Sequence, residues 1–263
     1  MRLAVAATAP LGADVLERLA AKHEVAYVLT RPDRPQGRGR RLGSPPAKQV
    51  AERLGIAVRQ PERLDASFEV DADTVVVAAF GALIPEALLD RALWLNVHPS
   101  LLPRWRGAAP VERSIMAGDT QTGMTIHRTT KELDEGPVAA QQAFLVGADD
   151  DAGVVYARAG ELAAELLHEV LAGPRFEPQP AEGATYAAKI TPEDRELDWS
   201  RPARELHDRI RALSPHIGAR GEVEGRRVIV WKSAVEDGEL RVLEVQPEGK
   251  RRMTYDEFLR GLR

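Results

Sequence analysis

Cysteine is absent from the 263 residues. That excludes disulfides, thiol nucleophiles and cysteine-ligated zinc, and it fits a reducing compartment. No apolar run approaches the roughly 18 residues that span a bilayer, so no membrane segment is expected. No HExxH pair is present, and the first strand-to-helix turn, Ala7-Thr8-Ala9-Pro10, lacks the glycines of a dinucleotide-binding fingerprint. An excess of positive charge is missing too. The formal net charge is −4, so only the distribution of charge can argue for a nucleic-acid partner. Lysine is scarce, 6 against 30 arginines, a bias that codon usage in a GC-rich genome explains without any function. There is no internal repeat.

What is present is a chain long enough for a full core and two domains. The opening MRLAVAATAPLGA carries an apolar run at the short end for a secretory leader. It is followed by VLERLAAKHEVAYVLT, a helix and then a strand, so the opening reads as strand 2–8 of a soluble, cytoplasmic protein. A helix over 11–22, with Leu11, Val15, Leu16 and Leu19 on one face, and a strand over 24–30 complete a βαβ unit, hence a right-handed, largely parallel sheet. RPDRPQGRGRRLGSPPAK (31–48) has four prolines, three glycines and six basic residues against the single Asp33. It reads as an exposed loop. A helix over 46–54 and the short strand IAV follow, then DTVVVAAF (73–80), a buried central strand. Phe80-Gly81-Ala82-Leu83-Ile84-Pro85 turns this strand into another helix. The strand ending in NVH comes next, then a helix over 108–117 and strands over 123–129 and 138–145, joined by the loop Thr130–Pro137. A long helix over 151–172 opens after Asp149-Asp150-Asp151, acids suited to a helix N-terminus. From Gly173 to Ser200 the chain is rich in Pro, Gly and Glu and reads as a surface linker. A helix over 201–212, strands in VEGRRVIVWKSAV and ELRVLEVQ, and a helix over 254–262 make a small β domain. The expected boundaries are a catalytic domain at 1–180, a linker at 181–200 and a C-terminal domain at 201–263.

The chemistry concentrates in Asn96-Val97-His98-Pro99-Ser100-Leu101-Leu102-Pro103-Arg104-Trp105-Arg106-Gly107-Ala108-Ala109-Pro110. Asn96 and His98 are two residues apart, so on a strand they share a face. They lie where the strand runs out, the place where open α/β sheets put their sites. An imidazole near pKa 6.5 can give or take a proton at neutrality, and a carboxylate such as Asp134 fixes its tautomer and favours its charged form. A primary amide aimed at a developing oxyanion is worth about 3 kcal/mol. Together these are the parts for acyl transfer to an amine. Asn96 and protonated His98 hold the oxyanion, and His98, linked to Asp134, shuttles the proton. By spacing alone other readings stay open. Asn-x-His also suits a purely structural strand end, Asp134 a turn former, and His98, His127 and Asp134 a metal site. His127 is otherwise placed on a half-buried strand, and no metal is expected.

The same stretch resembles the signature of folate-dependent formyltransferases, and within them the methionyl-tRNA formyltransferase branch. The resemblance implies an α/β fold with a Rossmann-like, largely parallel sheet plus a small, β-barrel-like C-terminal domain. It implies Asn96, His98 and Asp134 as the catalytic residues and 10-formyltetrahydrofolate as the formyl donor. Ser100, Leu101, Leu102 and Pro103 would lie beside the reduced folate, and Phe80, Gly81, Ala82, Leu83 and Ile84 would line its pterin pocket. The 31–48 stretch resembles the basic insertion that enters the acceptor arm of initiator tRNA, with Arg38 matching its key arginine. Arg34, Arg40 and Arg41 add charge beside it, and phosphate contacts dominate affinity for nucleic acids. ATYAAKITPEDRELDWSRPARELHDRIRAL resembles that branch's linker and the start of its C-terminal domain. From residue 201 onward there are 14 basic and 11 acidic residues, a mild positive balance. The implied activity is formylation of methionyl initiator tRNA by a monomer with no membrane partner. A formyltransferase acting on a nucleotide-linked amino sugar is the alternative, and a non-catalytic folate- or tRNA-binding relative is disfavoured by the intact Asn96, His98 and Asp134. The C-terminal domain departs from the family. Only Glu236-Asp237-Gly238 joins WKSAV to LEVQPEGKRRM, where relatives carry a further hairpin, and a tight turn must close the gap.

Overall fold

A computed structural model describes residues 1–36 and 41–262. The chain forms two compact units. One consists of Met1–Arg106, Gly123–Gln142 and Ala157–Ala184, and the other of Gly107–Thr122, Ala143–Tyr156 and the described chain from Thr185 onward.

The first unit is built on β1 (Leu3–Ala7), α1 (Pro10–Ala20), β2 (Val25–Leu29), β3 (Arg34–Gln36), β4 (Arg41–Gly43), α2 (Pro46–Arg53), β5 (Ala57–Arg59), β6 (Thr74–Ala78), α3 (Glu86–Leu89) and β7 (Leu93–His98). After β8 (Arg106–Gly107) and α4 (Pro110–Met116) come β9 (Gln121–Arg128), β10 (Val138–Leu145) and α5 (Ala152–Ala172). The main sheet has seven strands in the order β10-β9-β7-β6-β1-β2-β5. β1 runs parallel to β2 and β6, and β6 parallel to β7, while β7 pairs antiparallel with β9. LAVAA of β1 and TVVVA of β6 are buried along their whole length, as central parallel strands must be when both faces are covered. Tyr27, Leu29, Val75, Val77, Phe80, Leu88 and Trp94 pack one face. Because β1 is flanked by β2 on one side and β6 on the other, the strand order reverses beside it, which puts the carboxyl ends of β1, β6 and the neighbouring β7 where open α/β sheets bind ligands.

The 31–48 stretch differs from the loop that its composition predicts. β3 and β4 pair antiparallel as a short ladder, Arg34 opposite Gly43. Its lone acid explains the order at the base. The Asp33 carboxylate accepts from Lys48 Nζ at 2.7 Å and from Gln60 Nε2 at 2.9 Å, and these bonds hold its pKa below the usual carboxylate range.

The second unit contains α4, β11 (Tyr186–Ala187), a 3₁₀ turn at Glu193–Arg195, α6 (Ala203–Leu213), β12 (Ala219–Val223), β13 (Arg226–Glu236), β14 (Glu239–Pro247), β15 (Met253–Thr254) and α7 (Tyr255–Arg260). The last four strands form an antiparallel sheet in chain order. α6 buries Leu206, Ile210 and Leu213 against Val228, Val230 and Val245 of that sheet. Asp237 and Gly238 close β13 onto β14 with φ of 51° and 83°, Glu236 opposite Glu239. Two positive φ values make the two-residue turn that matches strand twist, so the shortened hairpin closes tightly. The segment from Gly173 to Ser200, which composition reads as a linker, is tied down on its second-unit side. Arg113 reaches the Asp194 carboxylate with two bonds, at 2.8 and 2.6 Å, and this guanidinium holds the Asp194 pKa down to about 2.

Gly12, in the first turn of α1, sits where the helix crosses the sheet. A Cβ there would meet the Ala78 carbonyl oxygen at 2.3 Å and Ala7 Cβ at 2.8 Å. Backbone cannot move aside cheaply, so Gly12→Ala is expected to destabilise the protein by about 1–3 kcal/mol. A urea midpoint unchanged from wild type would show that the helix does not press on the sheet there.

Candidate active site

The site grows from the carboxyl end of β7. Alternation along the strand sends Asn96 and His98 to one face, and both reach the loop that holds Asp134. The Asp134 side chain is 7 % exposed and His98 5 %. Asn96 Nδ2 donates to Asp134 Oδ1 at 3.0 Å, and His98 Nδ1 lies 3.6 Å from Asp134 Oδ2. β9 contributes a fourth member. His127 is the cross-strand partner of Asn96, and its Nε2 is 3.1 Å from Asn96 Nδ2 and 3.6 Å from Asp134 Oδ1.

Carbonyl oxygens only accept, which settles both tautomers. His127 Nδ1 faces the Arg128 carbonyl at 3.0 Å, so Nδ1 carries the proton and Nε2 accepts from Asn96. His98 Nε2 faces the Trp105 carbonyl at 2.8 Å, so Nε2 carries the proton and Nδ1, turned to Asp134, is the nitrogen that titrates. Both protons of the Asn96 amide are engaged, one on the carboxylate and one on His127.

The expectation that the carboxylate keeps His98 charged is corrected by its burial. Loss of solvent lowers the His98 pKa more than the Asp134 charge and the Trp105 carbonyl raise it, and the result lies below the usual 6.5. A fully buried imidazolium loses all its hydration, and a carboxylate at 3.6 Å without a direct hydrogen bond does not restore it. His98 is therefore a neutral base at neutral pH.

The proline-rich loop after β7 is held from inside. Ser100 is fully buried and its Oγ donates to the Arg104 carbonyl at 2.7 Å. Thr125 Oγ1 donates to the Ser100 carbonyl at 2.6 Å and accepts from Gln141 Nε2 at 2.8 Å. Leu102 is buried, and Leu101 lies so close to β9 that a Cβ on Gly123 would meet its Cδ2 at 2.4 Å. Pro103 is half-buried. Ser100 and Leu102 thus brace this loop rather than open onto solvent. Phe80 likewise belongs to the core, whereas Gly81, Ala82 and Leu83 are exposed and Ile84 is half-buried. Leu83 is 88 % exposed and Leu133, next to Asp134, 60 %. Glu86, which opens α3, forms an exposed ion pair with Lys131 of the 130–137 loop at 3.3 Å. An exposed apolar side chain next to the buried acid, Leu133, suits contact with the flat face of a ligand.

Two positions at the site hold left-handed backbone without glycine, Trp105 at φ 63° and Asp134 at φ 55°. Such residues cost on the order of 1–3 kcal/mol each and persist only where the surroundings impose them. Among the described residues there is no group of three or more His, Cys, Asp or Glu arranged to hold a metal, and His127 Nε2 already faces the Asn96 amide. Of the basic cluster, Arg34 is exposed on β3, while Arg38, Arg40 and the side chain of Arg41 lie outside the described residues. Sequence pattern places His127 on a strand but not in the site. The signal that could have found it is its register, since a histidine opposite Asn96 across β7–β9 faces the same site.

The family model described as formyl transferase matches residues 1–171, and the formyl transferase C-terminal domain model matches residues 189–239. Methionyl-tRNA formyltransferase of Paracoccus denitrificans is 40 % identical, over the whole of this chain and 98 % of the relative. The N-formyltransferase of Helicobacter canadensis, solved with folinic acid and dTDP-3-aminofucose, superposes with a TM-score of 0.71 at 16 % identity, covering 97 % of this chain and 98 % of that one. Methionyl-tRNA formyltransferase of Clostridium thermocellum gives a TM-score of 0.67 at 15 % identity, covering 94 % and 98 %. At such identities the two structures speak for the fold alone.

The depressed His98 pKa links the site to stability. Around pH 6.5 the unfolded chain binds more protons at this residue than the native one, so His98 contributes stability above the unfolded value that is lost as pH falls below it. His98→Gln is expected to flatten that part of the profile, losing less stability than wild type between pH 7 and pH 5 in urea titrations. An equal or steeper loss in the variant would mean that His98 is not held neutral.

Proposed function

The chain belongs to the formyl transferase family, and on that premise we propose that it transfers the formyl group of 10-formyltetrahydrofolate to the α-amino group of methionyl initiator tRNA, for translation initiation. The observation that carries this reading is likeness over the whole length, at 40 % identity, to an enzyme named for that reaction. The buried cluster at the end of β7 supplies matching chemistry. The sugar-directed alternative has only the 16 % likeness of a structure solved with a dTDP-sugar, which speaks for fold and not for acceptor.

Asn96, His98 and Asp134 are assigned the chemistry. His98 Nδ1, unprotonated at neutral pH, takes the proton that the attacking amine releases. The imidazolium so formed is stabilised by the Asp134 carboxylate until the proton passes to the departing nitrogen. Asn96 stabilises the formyl oxygen as that oxygen gains negative charge. Both of its amide protons are engaged at rest. This role therefore requires the amide to rotate as a unit when substrate binds and give up the weaker of its two bonds, the one to His127 rather than the charge-assisted one to the carboxylate. The donor is a co-substrate. We assign its pterin ring to the side of the Phe80-Gly81-Ala82-Leu83-Ile84 loop, where Leu83 and Leu133 are open to cover it, with the braced Ser100-Leu101-Leu102-Pro103 loop alongside.

Arg34, Arg38, Arg40 and Arg41 are assigned to the tRNA phosphates. Four arginines between positions 34 and 41 are more than a small sugar nucleotide needs, and phosphate contacts supply most of the affinity for nucleic acid. The transfer chemistry is placed in residues 1–180, with 181–200 connecting to the C-terminal domain at 201–263. The protein is taken to work as a monomer in the cytoplasm, where charged tRNA is made. Among the described residues no helix is long and apolar enough to cross a membrane.

Purified protein is expected to convert methionyl initiator tRNA to formylmethionyl-tRNA with 10-formyltetrahydrofolate as donor, and to leave a nucleotide-linked 4-amino sugar unformylated. Arg38→Ala is expected to raise the tRNA KM and leave hydrolysis of the formyl donor unchanged. Turnover of the sugar alone would overturn the acceptor assignment, and an unaltered tRNA KM would overturn the role of the basic stretch.

A further inference from the structure

The segments that carry the left-handed residues Trp105 and Asp134 are bridged by the side chains of Arg106 and Gln179. Arg106, next to Trp105, is buried to 8 % exposure. Its Nε and Nη2 donate to Gln179 Oε1 at 3.1 and 2.8 Å, and its Nη1 lies 3.0 Å from Glu135 Oε1. The other end of the Gln179 amide turns the opposite way. Nε2 donates to the main-chain carbonyls of Asp134 and Gly136, both at 2.8 Å. One amide thus accepts from a guanidinium and donates to two carbonyls of the loop that presents the Asp134 carboxylate. Glutamine has the acceptor and the two donors that this requires. Glutamate has only the acceptors.

The loop itself has little slack. A Cβ on Gly136 would fall 1.7 Å from the Arg128 carbonyl oxygen, so its backbone lies directly on the end of β9. Asp134, at φ 55°, aims its side chain differently from a residue in the β or α region. If its carbonyl were released, relaxation to negative φ would swing the carboxylate away from Asn96 at 3.0 Å and His98 at 3.6 Å.

We propose that Gln179, held by Arg106, is a positioning residue that fixes the Asp134 carboxylate in its working place. It does so without touching the reacting groups, from a segment that composition reads as a linker. The proposal rests on the assignment of Asn96, His98 and Asp134 to the chemistry.

Gln179→Ala and Gln179→Glu separate positioning from simple anchoring. The carboxylate introduced by Gln179→Glu would keep the bond to Arg106 and set an oxygen against the two carbonyls in place of the N–H donors. In the formyl transfer assay, with cooperative thermal unfolding confirmed for each variant, both substitutions are expected to lower kcat on the order of 10- to 100-fold, the scale of an ångström-sized misplacement. The KM values for tRNA and folate should stay near wild type. The acid limb of kcat should also move, because the proton affinity of His98 depends on where Asp134 stands. A Gln179→Glu variant with wild-type kcat beside a defective Gln179→Ala would reduce Gln179 to an anchor for Arg106 and overturn the proposal, as would wild-type kcat in both. His98→Ala, run in parallel, identifies which statement fails. Full turnover there overturns the catalytic assignment and the positioning proposal with it. Loss of turnover in His98→Ala, beside fully active Gln179 variants, overturns the positioning alone.

Discussion

One buried carboxylate organises this protein's site. Asp134 is 8 % exposed, and an acid removed from water must be met by donors or by positive charge. Asn96 meets one oxygen directly, while His98 and His127 face the two oxygens from 3.6 Å. Each partner comes from a different segment. β7 supplies Asn96 and His98, β9 supplies His127, and the 130–137 loop supplies the acid. The sheet keeps them in place, because β7 lies between the buried strand β6 and the antiparallel β9, where neither side is free to shift.

Two opposing effects meet at His98, and their order decides the chemistry. Burial disfavours the imidazolium and the carboxylate favours it, and burial wins. The result is a base ready to receive a proton at neutral pH, with a negative charge beside it to stabilise the cation once formed. A more exposed histidine would be partly charged at rest and a poorer acceptor. One without the carboxylate would bind a proton too weakly to take it from the attacking amine. The strained backbone at Trp105 and Asp134 serves the same end, since it sets the carbonyl on Nε2 and the carboxylate near Nδ1.

The parts of this architecture that depend on local pattern were legible in the sequence. The apolar runs of β1 and β6, the alternation that sends Asn96 and His98 to one face, and the turn at Asp237-Gly238 all follow from residue type and spacing over a few positions. What escaped depends on contacts distant in sequence. Asn96 meets His127 across 31 positions and Arg106 meets Gln179 across 73, and no local periodicity encodes either. The pairing of β3 with β4 escaped because Asp33 is met by Lys48 and Gln60, 15 and 27 positions along the chain. The charge of His98 escaped because a carboxylate in sequence says nothing about how much water its partner keeps. Gln179 escaped because Pro- and Gly-rich composition reports a lack of regular structure, which is compatible with a firmly held side chain.

The central claim is that the Asp134 cluster fixes the His98 and His127 rings with opposite nitrogens on main-chain carbonyls, and that burial holds His98 neutral. Long-range proton–nitrogen correlation spectra of the uniformly ¹⁵N-labelled protein at pH 7.5 read this directly. The account predicts His127 protonated on Nδ1 and His98 protonated on Nε2 alone, with His98 still neutral when exposed histidines have begun to titrate. An imidazolium signal for His98 at pH 7.5, or a proton on Nε2 of His127, would contradict it.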